Sequence, residues 1–110
     1  MLIEFWFDGC VEPINPGGHG SWGLLTYVDG KPFWSRSGYC GHGPEMTNNV
    51  AEYEGLLAAF HDLGEIEPAG EVVIRGDSKL VINQMLGRWK AKRGIYKPFY
   101  AQAKKSLSDL

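Results

Sequence analysis

The sequence predicts an α/β domain built on a mixed sheet, three antiparallel strands plus a parallel strand, with flanking helices. Three observations carry this. Three stretches of strand-like composition fill residues 2–39, the second and third joined by the hairpin signal Asp29-Gly30. A segment with helical periodicity follows, and after it comes the short apolar run Val72-Val73-Ile74. A helix crossing between strands of one sheet returns the chain parallel to an earlier strand.

The elements follow in order. Leu2 to Phe7 is apolar and aromatic apart from Glu4 and reads as the first strand. Val11 to Gly20 holds two prolines and three glycines and reads as a loop. Ser21 to Val28 and Lys31 to Tyr39 form a hairpin, and Gly41 to Met46 is a second loop. Thr47 or Asn48 caps a helix that runs to about Leu63. On its wheel Tyr53, Leu56, Leu57, Phe60 and Leu63 share one face. Glu52 falls at the border of that face, and Glu54 on the far side with His61, toward solvent. Glu71 to Arg75 reads as a strand covered on both faces. Leu80 to Leu86 is a short helix, Gly87 to Gly94 is basic and irregular, and Pro98 to Leu107 is a last helix.

A chain of 110 residues supports one domain, residues 1–110, with a modest core. Its 44% hydrophobic and 22% charged residues exclude a disordered chain. No apolar run approaches the roughly 18 residues of a membrane helix, so no membrane partner is expected. The first residues lack the basic stretch and cleavage site of a signal peptide. Cys10 and Cys40 read as free thiols, which fits a cytoplasmic location. Charge is uneven: residues 1–70 carry ten acids and two bases, residues 71–110 three acids and nine bases. The cluster Arg88, Lys90, Lys92, Arg93, Lys97 surrounds Trp89 and Tyr96. Cations beside rings suit a surface that tracks a nucleic-acid backbone, although a solvated basic helix has the same composition.

Three carboxylates carry the chemistry. Asp8 ends the first apolar strand, Asp77 follows the strand 71–75, and Glu52 lies on the helix between them. Sites in crossover sheets form beyond strand ends. Three acids brought together repel one another and need a cation. All-oxygen ligation suits Mg²⁺ or Mn²⁺, and two such ions can hold the attacking water and leaving oxygen of a phosphodiester in line.

Phe7-Asp8-Gly9-Cys10 followed by Asn15-Pro16-Gly17-Gly18, then Thr47-Asn48-Asn49-Val50-Ala51-Glu52, then Gly76-Asp77-Ser78, resemble in order the motifs of the ribonuclease H type 1 family. Asn48 to Tyr53 and Val81 to Gln84 look most like its archaeal-style branch, and the likeness runs from Leu2 to about Leu107. The resemblance implies a ribonuclease H-like sheet and an endonuclease that cuts the RNA strand of an RNA–DNA hybrid with two Mg²⁺ or Mn²⁺ ions. Asp8, Glu52 and Asp77 would be the catalytic metal ligands. Gly9, Cys10, Asn15, Gly17, Gly18, Thr47, Asn48, Asn49, Ser78, Trp89 and Lys90 would contact substrate. Amides of the Asn15–Gly18 stretch could bond 2′-hydroxyls.

The chain departs from the family pattern in lacking the usual C-terminal strand and helix, with their fourth acidic ligand and a histidine. Asp109 is in the wrong element to replace that ligand, and His19, His42 and His61 match no family position. Weakened or Mn²⁺-favoured activity is therefore expected. The alternative is a weak or inactive nucleic-acid-binding module, or a subunit of a larger assembly. With no strand beyond it, 71–75 would be an exposed sheet edge, and a homodimer through that edge is expected.

Overall fold

In the computed structural model, residues 1–65, 70–86 and 102–105 are described. The order is β1 (Leu2–Glu12), β2 (His19–Val28), β3 (Lys31–His42), α1 (Asn48–Gly64), β4 (Glu71–Gly76) and α2 (Lys79–Met85). The four strands form one sheet in the order β3-β2-β1-β4. β1 pairs antiparallel with β2, β2 antiparallel with β3, and β4 parallel with β1. Among the described residues no helix is long and apolar enough to cross a membrane.

The strands are longer than composition suggests. The turn-rich residues expected to loop between Val11 and Gly20 partly join the ladder, with Val11 opposite Gly20 and Glu12 opposite His19. Backbone pairing needs no apolar side chain, so polar and glycine residues extend a ladder that apolar neighbours have begun.

Alternation along β1 sets the two faces. Ile3, Phe5 and Phe7 are buried under α1, while Trp6 and Asp8 are exposed on the opposite face. The core joins these residues to Leu24, Tyr53, Leu56, Ala59, Leu63, Val81 and Met85. Small residues let α1 lie close. A Cβ on Gly9 would fall 2.4 Å from the Ala51 carbonyl carbon and 2.5 Å from the Glu52 nitrogen. Only glycine permits that approach, which sets the first turn of α1 directly on β1.

Thr47 caps α1, its hydroxyl accepting from the Val50 N–H at 3.4 Å. Arg36 of β3 holds Asp62 of α1 in a two-point ion pair, 2.6 and 3.0 Å, and stacks over Trp22. α2 buries Val81, Gln84 and Met85, and Tyr53 donates its hydroxyl hydrogen to Gln84 Oε1 across the helix pair. Lys104 reaches the Met85 carbonyl at 3.3 Å, covering a carbonyl that the end of α2 leaves free.

Val72, Val73 and Ile74 are half-buried, not covered on both faces, because β4 is an edge of the described sheet. The expected helix to Leu107 and the basic segment 87–94 fall largely outside the described residues, of which 102–105 are helical.

Candidate active site

The β1–β4 ladder ends at Phe7 opposite Gly76, whereas β1 and β2 stay paired to Glu12. The sheet therefore opens between β1 and β4 one residue before Asp8 and Asp77. This is the crevice beyond a strand's carboxyl end where open sheets gather ligands. Asp8 and Asp77 line a cleft of about 350 Å³ with Trp6, Gly23 and Gly76. A larger cleft of about 380 Å³ lies at the far end of β1, lined mostly by apolar groups such as Ile3, Phe5, Val28 and Trp34. The larger cleft also carries Asp62 and Glu65, but Asp62 is ion-paired with Arg36, whereas the smaller cleft holds the strand-end acids Asp8 and Asp77.

Glu52 does not line this cleft, but on the helix side it lies close enough for the charges of Asp8 and Asp77 to act on it. It is buried, at 9% exposure, rather than bordering the buried face as the wheel suggests. The close seat of Ala51 and Glu52 on Gly9 is the cause. Its carboxyl lies beside the Gly9 N–H and the Asp8 carboxyl, and Oε2 is buried with no hydrogen-bond partner. Burial first, then the negative charge of Asp8 and more distantly of Asp77, push its pKa up to about 7. Gly9's N–H opposes this, insufficiently.

Among the described residues no three histidine, cysteine, aspartate or glutamate side chains crowd closely enough to cage a single ion. The three carboxylates share one field but are spread out, with Glu52 buried and Asp8 and Asp77 exposed. The residues nevertheless fit a hard divalent cation. An orphaned buried carboxylate oxygen beside a second carboxylate is relieved by a cation, or at lower pH by the proton that its raised pKa holds. A spread set suits an ion that keeps waters and takes substrate oxygens into its shell.

The other expected substrate residues divide into three groups. Asn15 and Asn48 are joined, the Asn48 N–H donating to Asn15 Oδ1 at 3.2 Å, which brings the loop after β1 to the start of α1. Gly17 and Gly18 turn their amides inward, to the Met46 carbonyl at 2.9 Å and the Ile14 carbonyl at 2.8 Å. Those amides are thus occupied within the protein. Thr47 and Ser78 both serve as helix caps, Ser78 accepting from the Val81 N–H at 3.3 Å. Cys10 is exposed, 3.5 Å from the Ser21 hydroxyl, and Gly9 acts through packing. Trp89 and Lys90 lie outside the described residues.

Glu54 departs from its expected place in solvent. It is half-buried beside the Cys40 thiol, whose pKa burial and this carboxylate push up to about 12. A wheel drawn for one helix cannot show that β3 curls over its far side.

A mixed sheet in the order 3-2-1-4, with acids at the β1–β4 fork and on the crossing helix, defines a ribonuclease H-like fold. The comparisons agree. LC11 ribonuclease H1, solved in complex with an RNA/DNA hybrid, superposes with a TM-score of 0.83 at 32% identity, covering 97% of this chain and 77% of that one. The N-terminal ribonuclease H domain of Rv2228c from Mycobacterium tuberculosis gives 0.82 at 32% identity, covering 99% and 76%. A Prochlorococcus marinus ribonuclease H is 38% identical over 96 residues, 84% of this chain and 56% of that protein. No protein-family model matches. The chain belongs to the ribonuclease H type 1 family. It spans 17% of the full-length bifunctional protein Rv2228c and about half of the Prochlorococcus protein.

Proposed function

We propose that this chain is a metal-dependent endonuclease that hydrolyses the RNA strand of RNA–DNA hybrids. The observation that carries the reading is the buried, unpartnered Oε2 of Glu52, set in the field of Asp8 and Asp77. A protein with no use for a cation there would gain stability by replacing the glutamate. Kinship supports the substrate, since one structural neighbour was solved with an RNA/DNA hybrid bound.

Asp8, Glu52 and Asp77 would hold two Mg²⁺ or Mn²⁺ ions. When bound, these would align the attacking water and offset charge on the leaving oxygen. Asp8 and Asp77, the exposed pair, face the cleft and meet the scissile phosphate's surroundings. Glu52, fixed by Gly9, anchors the set from inside. The side-chain amides of Asn15, Asn48 and Asn49 supply donors and acceptors that discriminate a 2′-hydroxyl from hydrogen. The described acids are spread and do not cage a single ion, so Mn²⁺ would support more cleavage than Mg²⁺, being less demanding of ideal geometry.

The test is cleavage of an end-labelled RNA–DNA hybrid with Mg²⁺ or Mn²⁺, comparing wild type with Asp8→Asn. Cutting of the hybrid but not of single-stranded RNA or duplex DNA, lost in the variant, is the expected result. Hybrid binding without metal-dependent cutting would instead identify a binding module. Self-association is a separate proposal, supported by β4 standing at the edge of the described sheet with an apolar centre. A solution mass of 12.2 kDa at micromolar concentration sinks it.

A further inference from the structure

The three residues His19, Tyr39 and His42 stand apart from the carboxylate cleft and take no part in the activity proposed above. His19 Nδ1 lies 2.7 Å from the Tyr39 phenol oxygen, which in turn lies 3.2 Å from His42 Nδ1. The imidazole centroids are 5.0 Å apart. Two imidazoles are thus turned onto one oxygen. We propose that they form a binding site for a late first-row divalent ion such as Zn²⁺, with His19 Nδ1, His42 Nδ1 and the Tyr39 oxygen as ligands.

The backbone builds this arrangement on purpose. His19 pairs directly with His42, and Ser21 with Tyr39. Residues 39 and 42 would fall on opposite faces of a regular strand. The ladder slips one residue between Gly20 and Ser21, leaving Cys40 as the extra residue on β3. That bulge turns Tyr39 and His42 to the same face, a device that re-aims side chains. It is also why the sequence showed three unrelated positions and no motif.

The chemistry favours an imidazole-seeking ion over Mg²⁺. Nitrogen ligands select Zn²⁺, Cu²⁺ or Ni²⁺. Tetrahedral ligands at about 2.0–2.1 Å from Zn²⁺ stand roughly 3.3 Å from one another. The 2.7 and 3.2 Å separations need only open by about 0.6 and about 0.1 Å to meet that spacing. Binding displaces the phenol proton and any Nδ1 proton to solvent, so affinity falls with falling pH. Water completes the shell, because no third histidine, cysteine, aspartate or glutamate joins the pair among the described residues. A purely structural role explains the cluster less well. Tyr39 is 62% exposed, and hydrogen bonds between exposed side chains gain little over those to water.

Bound there, the ion would clamp the start of β2 to the end of β3. The adjoining loops already meet through the Gly17 amide and the Met46 carbonyl.

The experiment is Zn²⁺ titration of the full chain, first stripped with chelator, against a chromophoric competitor, with Co²⁺ absorption as a second readout. A tight equivalent should survive Glu52→Gln and His61→Gln. It should weaken at least about tenfold in His19→Gln and in His42→Gln, with loss of the tetrahedral Co²⁺ bands. Tyr39→Phe should weaken it and remove the ultraviolet difference signal of a metal-bound phenolate. Circular dichroism of each variant separates lost binding from lost folding. Zn²⁺ affinity that follows Glu52→Gln instead, or that is unchanged in the His19→Gln/His42→Gln double variant, overturns the proposal.

Discussion

Glu52 and Tyr53 are neighbours in the first turns of α1, both buried and both polar, and the fold treats them oppositely. Tyr53 is fully covered, and its hydroxyl meets Gln84 of α2. Glu52 is covered nearly as well, yet one carboxylate oxygen meets nothing and a second carboxylate stands beside it. One pair locks two helices together. The other leaves a buried carboxylate oxygen without a hydrogen-bond partner, where the proposed function would place a cation. On the proposed function, residues one position apart would separate stability from catalysis, and substitutions can test that separation.

The largest effect expected is on cleavage. Glu52→Gln, Asp8→Asn and Asp77→Asn should each cost at least about a thousandfold in rate, since metal-borne charge stabilisation is worth several kcal/mol. Tyr53→Phe should leave cutting by folded protein nearly intact. Hybrid-cleavage rates under single-turnover conditions measure both, and a Tyr53→Phe enzyme as dead as Glu52→Gln would dissolve the contrast.

Next in size is stability. Gln84→Leu removes the hydrogen bond between Tyr53 and α2 and should cost about 1 kcal/mol, the net worth of one such bond. Urea melts read this directly, and an unchanged midpoint would mean that Tyr53 finds another partner.

The sign reverses for Glu52 itself. Its pKa moves from an ordinary 4.5 up to about 7 in the folded chain. Between those values the folded state holds more protons than the unfolded state. Stability of the metal-free protein should therefore fall as pH rises from about 4.5 to about 7, and the full cost applies above that. Glu52→Gln removes the cost, so the variant should be more stable than wild type by about 1–2 kcal/mol at pH 8 without metal, less than the full shift implies because water still reaches the opening. Added Mn²⁺ should raise the melting temperature of wild type only. A destabilised Glu52→Gln at pH 8 would contradict the argument.

The smallest effect is expected at Glu54, two residues on, which serves the Cys40 thiol and not the cleft. Glu54→Gln should change cleavage by no more than about threefold, within the range of ordinary surface substitutions. Losses matching those of Glu52→Gln would place Glu54 in the metal set.

Much was legible in the chain because local chemistry repeats the global answer. Alternating apolar residues, the Asp29-Gly30 turn and the Thr47 cap each specify a local geometry, and together they allow one sheet with one crossing helix. The acidic motifs were readable for the same reason: Asp8 and Asp77 sit where apolar strand patterns stop. Charge along the chain was readable too, but the basic residues 88–97 fall outside the described structure.

What the sequence determined alone was thus the order and type of elements among the described residues, and with them the candidate acids. Tertiary packing decided the rest. The seat of Ala51 on Gly9 buries Glu52 deeper than its wheel position suggests, because a missing Cβ acts only when another backbone comes to fill the space. The curl of β3 over α1 gives Glu54 a thiol partner. A one-residue slip at Cys40 brings two histidines and a tyrosine onto one face. Each of these depends on register and approach between segments far apart in sequence, and neither composition nor periodicity within one segment carries that information.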